Sequence, residues 1–109
     1  MTFTEYMKNT IPTVKYPNMG NNLYYPTLGL AGEAGEVANK IKKIMRDNGG
    51  GITDGIRNDI AGELGDCLWY IAAICRELKI DLEEVANEDL AKLKKRLKRG
   101  TILGKGDNR

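Results

Sequence analysis

Two near-identical hexapeptides, Ala31-Gly32-Glu33-Ala34-Gly35-Glu36 and Ala61-Gly62-Glu63-Leu64-Gly65-Asp66, lie about thirty positions apart in the chain. Each sets two carboxylates at i and i+3, which are neighbouring positions on one face of an α-helix. Crowded carboxylates repel, and the chain contains no histidine that could offset them or serve as a ligand. A cation relieves the repulsion, and an all-oxygen donor set suits a hard one, Mg²⁺ or alternatively Mn²⁺. Glu33, Glu36, Glu63 and Asp66 are therefore the candidate metal ligands. The competing reading is a set of solvent-facing acids on amphipathic helices, the usual fate of a lone Glu-x-x-Glu. Five nearby glycines, Gly29, Gly32, Gly35, Gly62 and Gly65, shift the balance. Each costs about 1 kcal/mol relative to Ala inside a helix, so close backbone approach by another helix or by a ligand is expected.

The elements that must position these acids are helical throughout. Thr2-x-x-Glu5 reads as a capping box for a short first helix carrying Phe3, Tyr6 and Met7 inward. Pro12, Pro17, Asn18, Gly20, Asn21 and Asn22 make the next stretch a loop. A long helix begins between Asn22 and Thr27 and runs to about Asn48, with Leu30, Ala34, Val37, Ile41, Ile44 and Met45 as its apolar stripe. Gly49-Gly50-Gly51 ends it, and Thr53 or Asp54 caps the third helix. That helix carries Ile56, Ile60, Leu64, Cys67, Leu68, Ile71, Ile74, Cys75 and Leu78 at spacings of three and four. Asp81, with Glu84 completing a capping-box pattern, opens a fourth helix whose seam is Leu82, Val85, Ala86, Leu90, Leu93 and Leu97. Residues 100–109 have no helical pattern, and strand signals are absent. The chain reads as one all-α domain over 1–109, with residues 1–21 as an N-terminal helix and loop. One short and three longer helices form a hairpin that reaches four-helix-bundle architecture by oligomerisation.

Arithmetic brings the two acid pairs together. About 13 residues, or roughly 20 Å of helix, separate Glu33/Glu36 from the glycine loop, and about 10 residues, or roughly 15 Å, lead back to Glu63/Asp66. A short loop joins antiparallel helices, so both pairs return to nearly the same height. Both also border apolar stripes, Val37 and Ile41 on one side and Leu64 and Cys67 on the other.

Composition narrows the function classes. With 109 residues, 41% hydrophobic and 29% charged, the chain has the make-up of an ordinary globular domain. A net charge of +2 gives no general case for nucleic-acid binding. The basic run Lys92 to Arg99 reads mainly as the solvated face of the fourth helix. No apolar run approaches a membrane span, and the first residues lack a secretory signal pattern. Cys67 and Cys75 lie eight residues apart on one helix, about 12 Å, too far to pair. They read as small core residues in a reducing cytoplasm. Lys40 and Lys43 continue the Glu36 stripe toward the loop, Lys92 and Arg96 share one face of the last helix, and Lys105, Asp107 and Arg109 sit in the tail. Trp69 and Tyr70 read more readily as packing than as a base-stacking platform.

Tyr25-Pro26-Thr27-Leu28-Gly29-Leu30-Ala31-Gly32-Glu33-Ala34-Gly35-Glu36-Val37, then Lys42-Lys43, then Glu63-Leu64-Gly65-Asp66-Cys67-Leu68-Trp69-Tyr70, resembles the MazG-like nucleoside triphosphate pyrophosphohydrolases. That family's signature is E-x-x-E, a spacer and E-x-x-D, and Glu33, Glu36, Glu63 and Asp66 match every position. The resemblance runs through Lys92-Leu93 and Arg96 to the Gly-x-Gly-Asp-Asn-Arg ending. It implies an all-α homodimer or homotetramer. It also implies Mg²⁺-dependent cleavage between the α- and β-phosphates of an NTP or dNTP, giving a nucleoside monophosphate and pyrophosphate. Asp89 departs from the Asn of the N-L-x-K-L pattern, replacing a donor–acceptor with an acceptor. On this reading the metal ligands are Glu33, Glu36, Glu63 and Asp66, and the catalytic base is Glu33 or Glu36. Lys40, Lys43, Asp89, Lys92, Arg96, Lys105 and Arg109 meet the substrate. Two alternatives share the acid cluster: a related all-α hydrolase of dUTP, dCTP or phosphoribosyl-ATP, and a non-catalytic metal- or nucleotide-binding regulator.

Overall fold

The computed structural model describes residues 1–109 and contains helices only: α1 (Phe3–Thr10), α2 (Tyr24–Asp47), α3 (Asp54–Glu77) and α4 (Leu82–Arg99), with a 3-10 turn at Ile11–Thr13. The short first helix and three longer ones appear as expected. No helix is long and apolar enough to cross a membrane.

Local chemistry sets the helix ends. Thr2 Oγ1 accepts the Glu5 N–H at 3.0 Å to start α1, and Thr53 Oγ1 accepts the Ile56 N–H at 3.2 Å to start α3. Thr53, rather than Asp54, is thus the cap. Asp81 caps α4 by accepting the Glu83 N–H at 3.0 Å, and no capping-box bond from Glu84 completes it. Glu83 is used across the chain instead. Its carboxylate accepts the Phe3 and Thr4 N–H groups at 2.7 and 3.3 Å, occupying the positive end of α1. Thr4 Oγ1 donates to Asp81 at 3.0 Å, so the start of α1 is tied to the start of α4. Gly49 and Gly50, at φ +58° and +84°, supply the left-handed backbone that stops α2 and turns the chain into α3.

The α2–α3 hairpin is the main tertiary unit. Its neighbour is a small core at the α1/α3/α4 corner, built on Ala72, Cys75 and Leu82 with Tyr6, Met7 and Leu68 packed against it. Glu77 orders the connection before α2. Its carboxylate accepts the Gly20 N–H at 2.7 Å, the Asn22 N–H at 3.2 Å and the Tyr16 hydroxyl at 3.1 Å. Both cysteines are unpaired; Cys75 is buried and Cys67 half-buried.

The expected apolar seams are only partly covered. Of 109 residues, 8 are buried, and the radius of gyration is 16.9 Å, against about 13 Å for a compact chain of this length. Met45 remains 73% exposed, Leu64 54% and Leu97 72%. Helix α4 does not pack on α2, and Val85, Leu90, Leu93 and Leu97 of its stripe remain exposed. One copy of the chain offers too few helical faces to cover all these stripes.

The helical glycines divide unexpectedly. A Cβ on Gly29 would lie 2.2 Å from the Tyr70 ring, whereas Gly32, Gly35, Gly62 and Gly65 have nothing within 4 Å of that position. Close packing of α2 on α3 therefore accounts for Gly29 alone; of the approach by another helix or by a ligand expected from sequence, the single chain shows the helix only there. The Tyr70 ring enters the Gly29 notch and fixes the hairpin's register there. Gly29→Ala should lower stability by about 1–3 kcal/mol through overpacking, read as a fall in melting temperature. Its effect should be non-additive with Tyr70→Ala, which removes the clashing ring.

Candidate metal and phosphate site

Halfway along the hairpin, α2 contributes Glu33 and α3 contributes Glu63 and Asp66. One carboxylate oxygen from each lies within 4.8 Å of the others. The pairing of heights along the two helices is what brings them together, as the sequence arithmetic requires. Glu36 is not part of this trio. Three residues along a helix amount to about 60° of rotation, and that carries Glu36 from the α3-facing flank into solvent. Glu33 and Glu63 are half-buried, while Asp66 and Glu36 are exposed.

The trio's electrostatics show the strain of gathering like charges. A hydrogen bond with Glu63, then desolvation, then the charges of Asp66, Glu63 and Glu36 hold the Glu33 carboxyl above its ordinary range. A raised carboxyl means that the folded chain binds a proton more readily here than the unfolded chain does. The one cation at the cluster is Lys40, whose Nζ lies 3.8 Å from Glu63 Oε1 across the hairpin. Three carboxylates, no nitrogen or sulfur donor and a single loosely placed lysine form a donor set that fits a hard divalent cation.

An open cavity of about 300 Å³ lies against the acids, lined by Glu33, Asp66, Trp69 and Tyr70. Residues 63, 66 and 70 follow the i, i+3, i+7 spacing of one helix face, the signal that could have placed Tyr70 beside the acids in advance. The aromatic residues also pack, as expected. Trp69 and Tyr70 meet edge-to-face at 5.0 Å, Tyr16 meets Trp69 at 6.4 Å, and Tyr16 stacks on Tyr25 at 4.9 Å. The Trp69 indole N–H donates to Thr13 Oγ1 at 2.7 Å. Burial, then the Glu77 hydrogen bond, pushes the Tyr16 hydroxyl up to about 12. Burial, with nearby Tyr25, Glu33 and Asp66, raises the Tyr70 hydroxyl too. Packing and cavity lining are thus carried by the same rings.

The cations proposed from sequence fall into two groups. Lys40 and Lys43 line a second cavity of about 210 Å³ toward the glycine loop, with Asp47, Asn48 and Asp59. The others belong to α4 and the tail, bonded to one another rather than to the acids. Lys92 Nζ lies 3.6 Å from Asp89 and 3.1 Å from Asp107. Arg96 is 4% exposed, and its Nη2 donates to the Asp107 carbonyl at 2.5 Å and carboxylate at 3.1 Å. Lys92 first, then Arg96, holds the Asp107 carboxyl below its ordinary range. Arg109 donates to the carbonyls of Thr101, Ile102 and Gly106 at 2.9, 3.1 and 2.6 Å. Lys105 is exposed.

Residues 26–101 match the family model of the MazG nucleotide pyrophosphohydrolase domain. The chain is also 48% identical over 102 residues to the Gene 37 protein of Mycobacterium phage L5, an alignment spanning 89% of this chain and 90% of that one. No solved structure matches.

The raised Glu33 carboxyl gives a signed pH dependence without divalent cations. Its contribution to stability is complete below the ordinary Glu pKa of about 4.3 and is lost as pH rises through the higher folded value. Glu33→Gln should therefore melt higher than the parent at pH 7 in a chelating buffer, with the gap closing below about pH 4. Thermal melts of both proteins across pH check this, and an equal gap at all pH values would contradict it.

Proposed function

We propose, from the premise that this chain belongs to the MazG nucleotide pyrophosphohydrolase family, that it hydrolyses an NTP or dNTP between the α- and β-phosphates. The products are a nucleoside monophosphate and pyrophosphate. The observation carrying this reading is the Glu33, Glu63 and Asp66 cluster, whose oxygens lie within 4.8 Å of one another beside an open cavity.

In this reading Glu33, Glu63 and Asp66 hold Mg²⁺, which Mn²⁺ can replace. The cation supplies the positive charge that screens a polyphosphate and acidifies water. Glu36, one turn from Glu33 and outside the trio, accepts the proton of the attacking water, the task that a histidine-free site leaves to a carboxylate. Lys40 already lies within 3.8 Å of Glu63, and a small rotation of its side chain brings its charge to a substrate phosphate. Lys43 extends the basic edge toward the loop. Trp69 and Tyr70 form the aromatic wall against which the nucleoside rests.

The proposed assembly is a homodimer or homotetramer. Support comes from the uncovered stripes on α2, α3 and α4, from the extended shape of the single chain, and from Gly32, Gly35, Gly62 and Gly65, which nothing within the chain requires. Association covers these faces and brings Asp89, Lys92, Arg96, Lys105 and Arg109 of α4 and the tail toward a substrate held on a hairpin.

Two measurements test this. Pyrophosphate release from a panel of NTPs and dNTPs should require Mg²⁺ or Mn²⁺. Glu63→Gln and Asp66→Asn should each lose both turnover and the rise in melting temperature caused by the metal. Glu36→Gln should lose about 10²-fold or more in kcat yet keep that rise; loss of both would return Glu36 to the ligand set. For the assembly, sedimentation should give a dimer or tetramer, and Leu93→Lys should shift it toward monomer or unfolded chain. A monomeric parent would refute the oligomer.

A further inference from the structure

We infer that Lys92 and Arg96 form an anion socket that the chain's own Asp107 plugs, and that a polyphosphate competes with this carboxylate and releases the tail. This rests on the hydrolase reading only for the identity of the natural anion, the phosphates of a nucleotide or the pyrophosphate split from it.

The socket is more built than a surface cluster. Arg96 is 4% exposed, whereas the Asp107 side chain that covers it is 79% exposed. The cation therefore forms a fixed floor and the carboxylate a removable cover. Asp107 is also an incomplete partner. It engages Nη2 of Arg96 twice but leaves Nε of the same guanidinium buried without a protein acceptor. Nε–H and Nη2–H form the edge that binds a phosphate or carboxylate through two parallel hydrogen bonds. A phosphate group can fill both donors, and its second oxygen reaches the unmet one. Lys92, 3.1 Å from Asp107 and 3.6 Å from Asp89, then faces an anion of higher charge than the single carboxylate that it gives up.

A purely structural role explains less. Helix α4 is already terminated by Gly100 at φ +72°, with the Gly100 and Thr101 N–H groups returning to the Leu97 and Arg96 carbonyls. The Asp107 contacts come after that stop and add nothing to it. Residues 101–109 hold their own shape through the Arg109 side chain, which passes close over Gly104, where a Cβ would meet it at 2.7 Å. Apart from the socket, the tail is tied to α4 by Arg99, whose Nη2 donates to the Arg109 carbonyl, so Asp107 can leave Lys92 and Arg96 while the loop around Arg109 keeps its shape.

The test uses the full chain, inorganic pyrophosphate as the probe and a chelating buffer free of divalent cations, so that neither the acid cluster nor turnover contributes. Calorimetric titration should show pyrophosphate binding tightened about fivefold in Asp107→Asn, because the socket no longer spends most of its time closed. In the parent protein, pyrophosphate should speed tryptic cleavage after Lys105, and Lys92→Gln should abolish that acceleration. Equal affinity in parent and Asp107→Asn, with or without a lower melting temperature, would make the tail a structural strap and overturn the inference. So would pyrophosphate that leaves cleavage after Lys105 unchanged, a readout that stands even if Asp107→Asn fails to fold. A protein that passes these tests yet releases no pyrophosphate from any nucleotide would lose the hydrolase reading and keep the socket.

Discussion

Holding Glu33, Glu63 and Asp66 within 4.8 Å of one another is the constraint on which the structure turns. Like charges at that spacing push the two legs of the hairpin apart, while a hydrogen bond with Glu63 first, then desolvation and the neighbouring charges, raise the Glu33 carboxyl. Apolar contact between the legs opposes it. Ile44 is buried near the loop end, and Pro26 is fully enclosed at the other. Between them Tyr70 sits in the Gly29 notch, one turn along α3 from Asp66. Slippage of α2 against α3 would expel that ring, so the element fixing the register stands next to the charges it must restrain.

The same hairpin shows what a sequence makes legible and what it does not. Helix positions, the glycine stop and the common height of the acid pairs follow from periodicity and rise per residue, because those quantities are local. Exclusion of Glu36 from the trio depends on the rotational phase of α2 against α3, and spacing within one helix leaves that phase open. Glu77 illustrates the other limit. Its partners Tyr16, Gly20 and Asn22 lie 55 to 61 residues away in a stretch without regular structure. An acid near a helix end gives no sign of such a task. Glu83 shows the same limit from the first turn of α4: its carboxylate caps α1, 79 and 80 residues away in sequence.

Glycine carried the sequence argument for close helix approach, and the structure changes what that argument means. Four helical glycines meet nothing within 4 Å, yet each weakens its helix relative to alanine by about 1 kcal/mol. They flank the acids: Gly32 and Gly35 beside Glu33, Gly62 and Gly65 beside Glu63 and Asp66. Backbone without side chains thus flanks the carboxylates on both legs, while Trp69 and Tyr70 line the cavity beside them. The helical cost falls beside the cluster rather than at a helix contact within the chain.

Charge is then divided between two places. Acids gather on the hairpin beside Lys40, and a second set of cations lies on α4, where Asp89 and Asp107 neutralise Lys92 and Arg96. Within one chain α4 does not touch α2, so the two sets remain separate and each is internally compensated, the acids in part by Lys40 and the bases by the tail. Internal compensation of this kind leaves neither set bare within one chain. It also means that any polyanion bridging the two sets must displace a carboxylate on one side and bring cations to the other. On the proposed reading, recognition of a nucleotide by this architecture is an exchange of charge partners rather than the filling of an empty site.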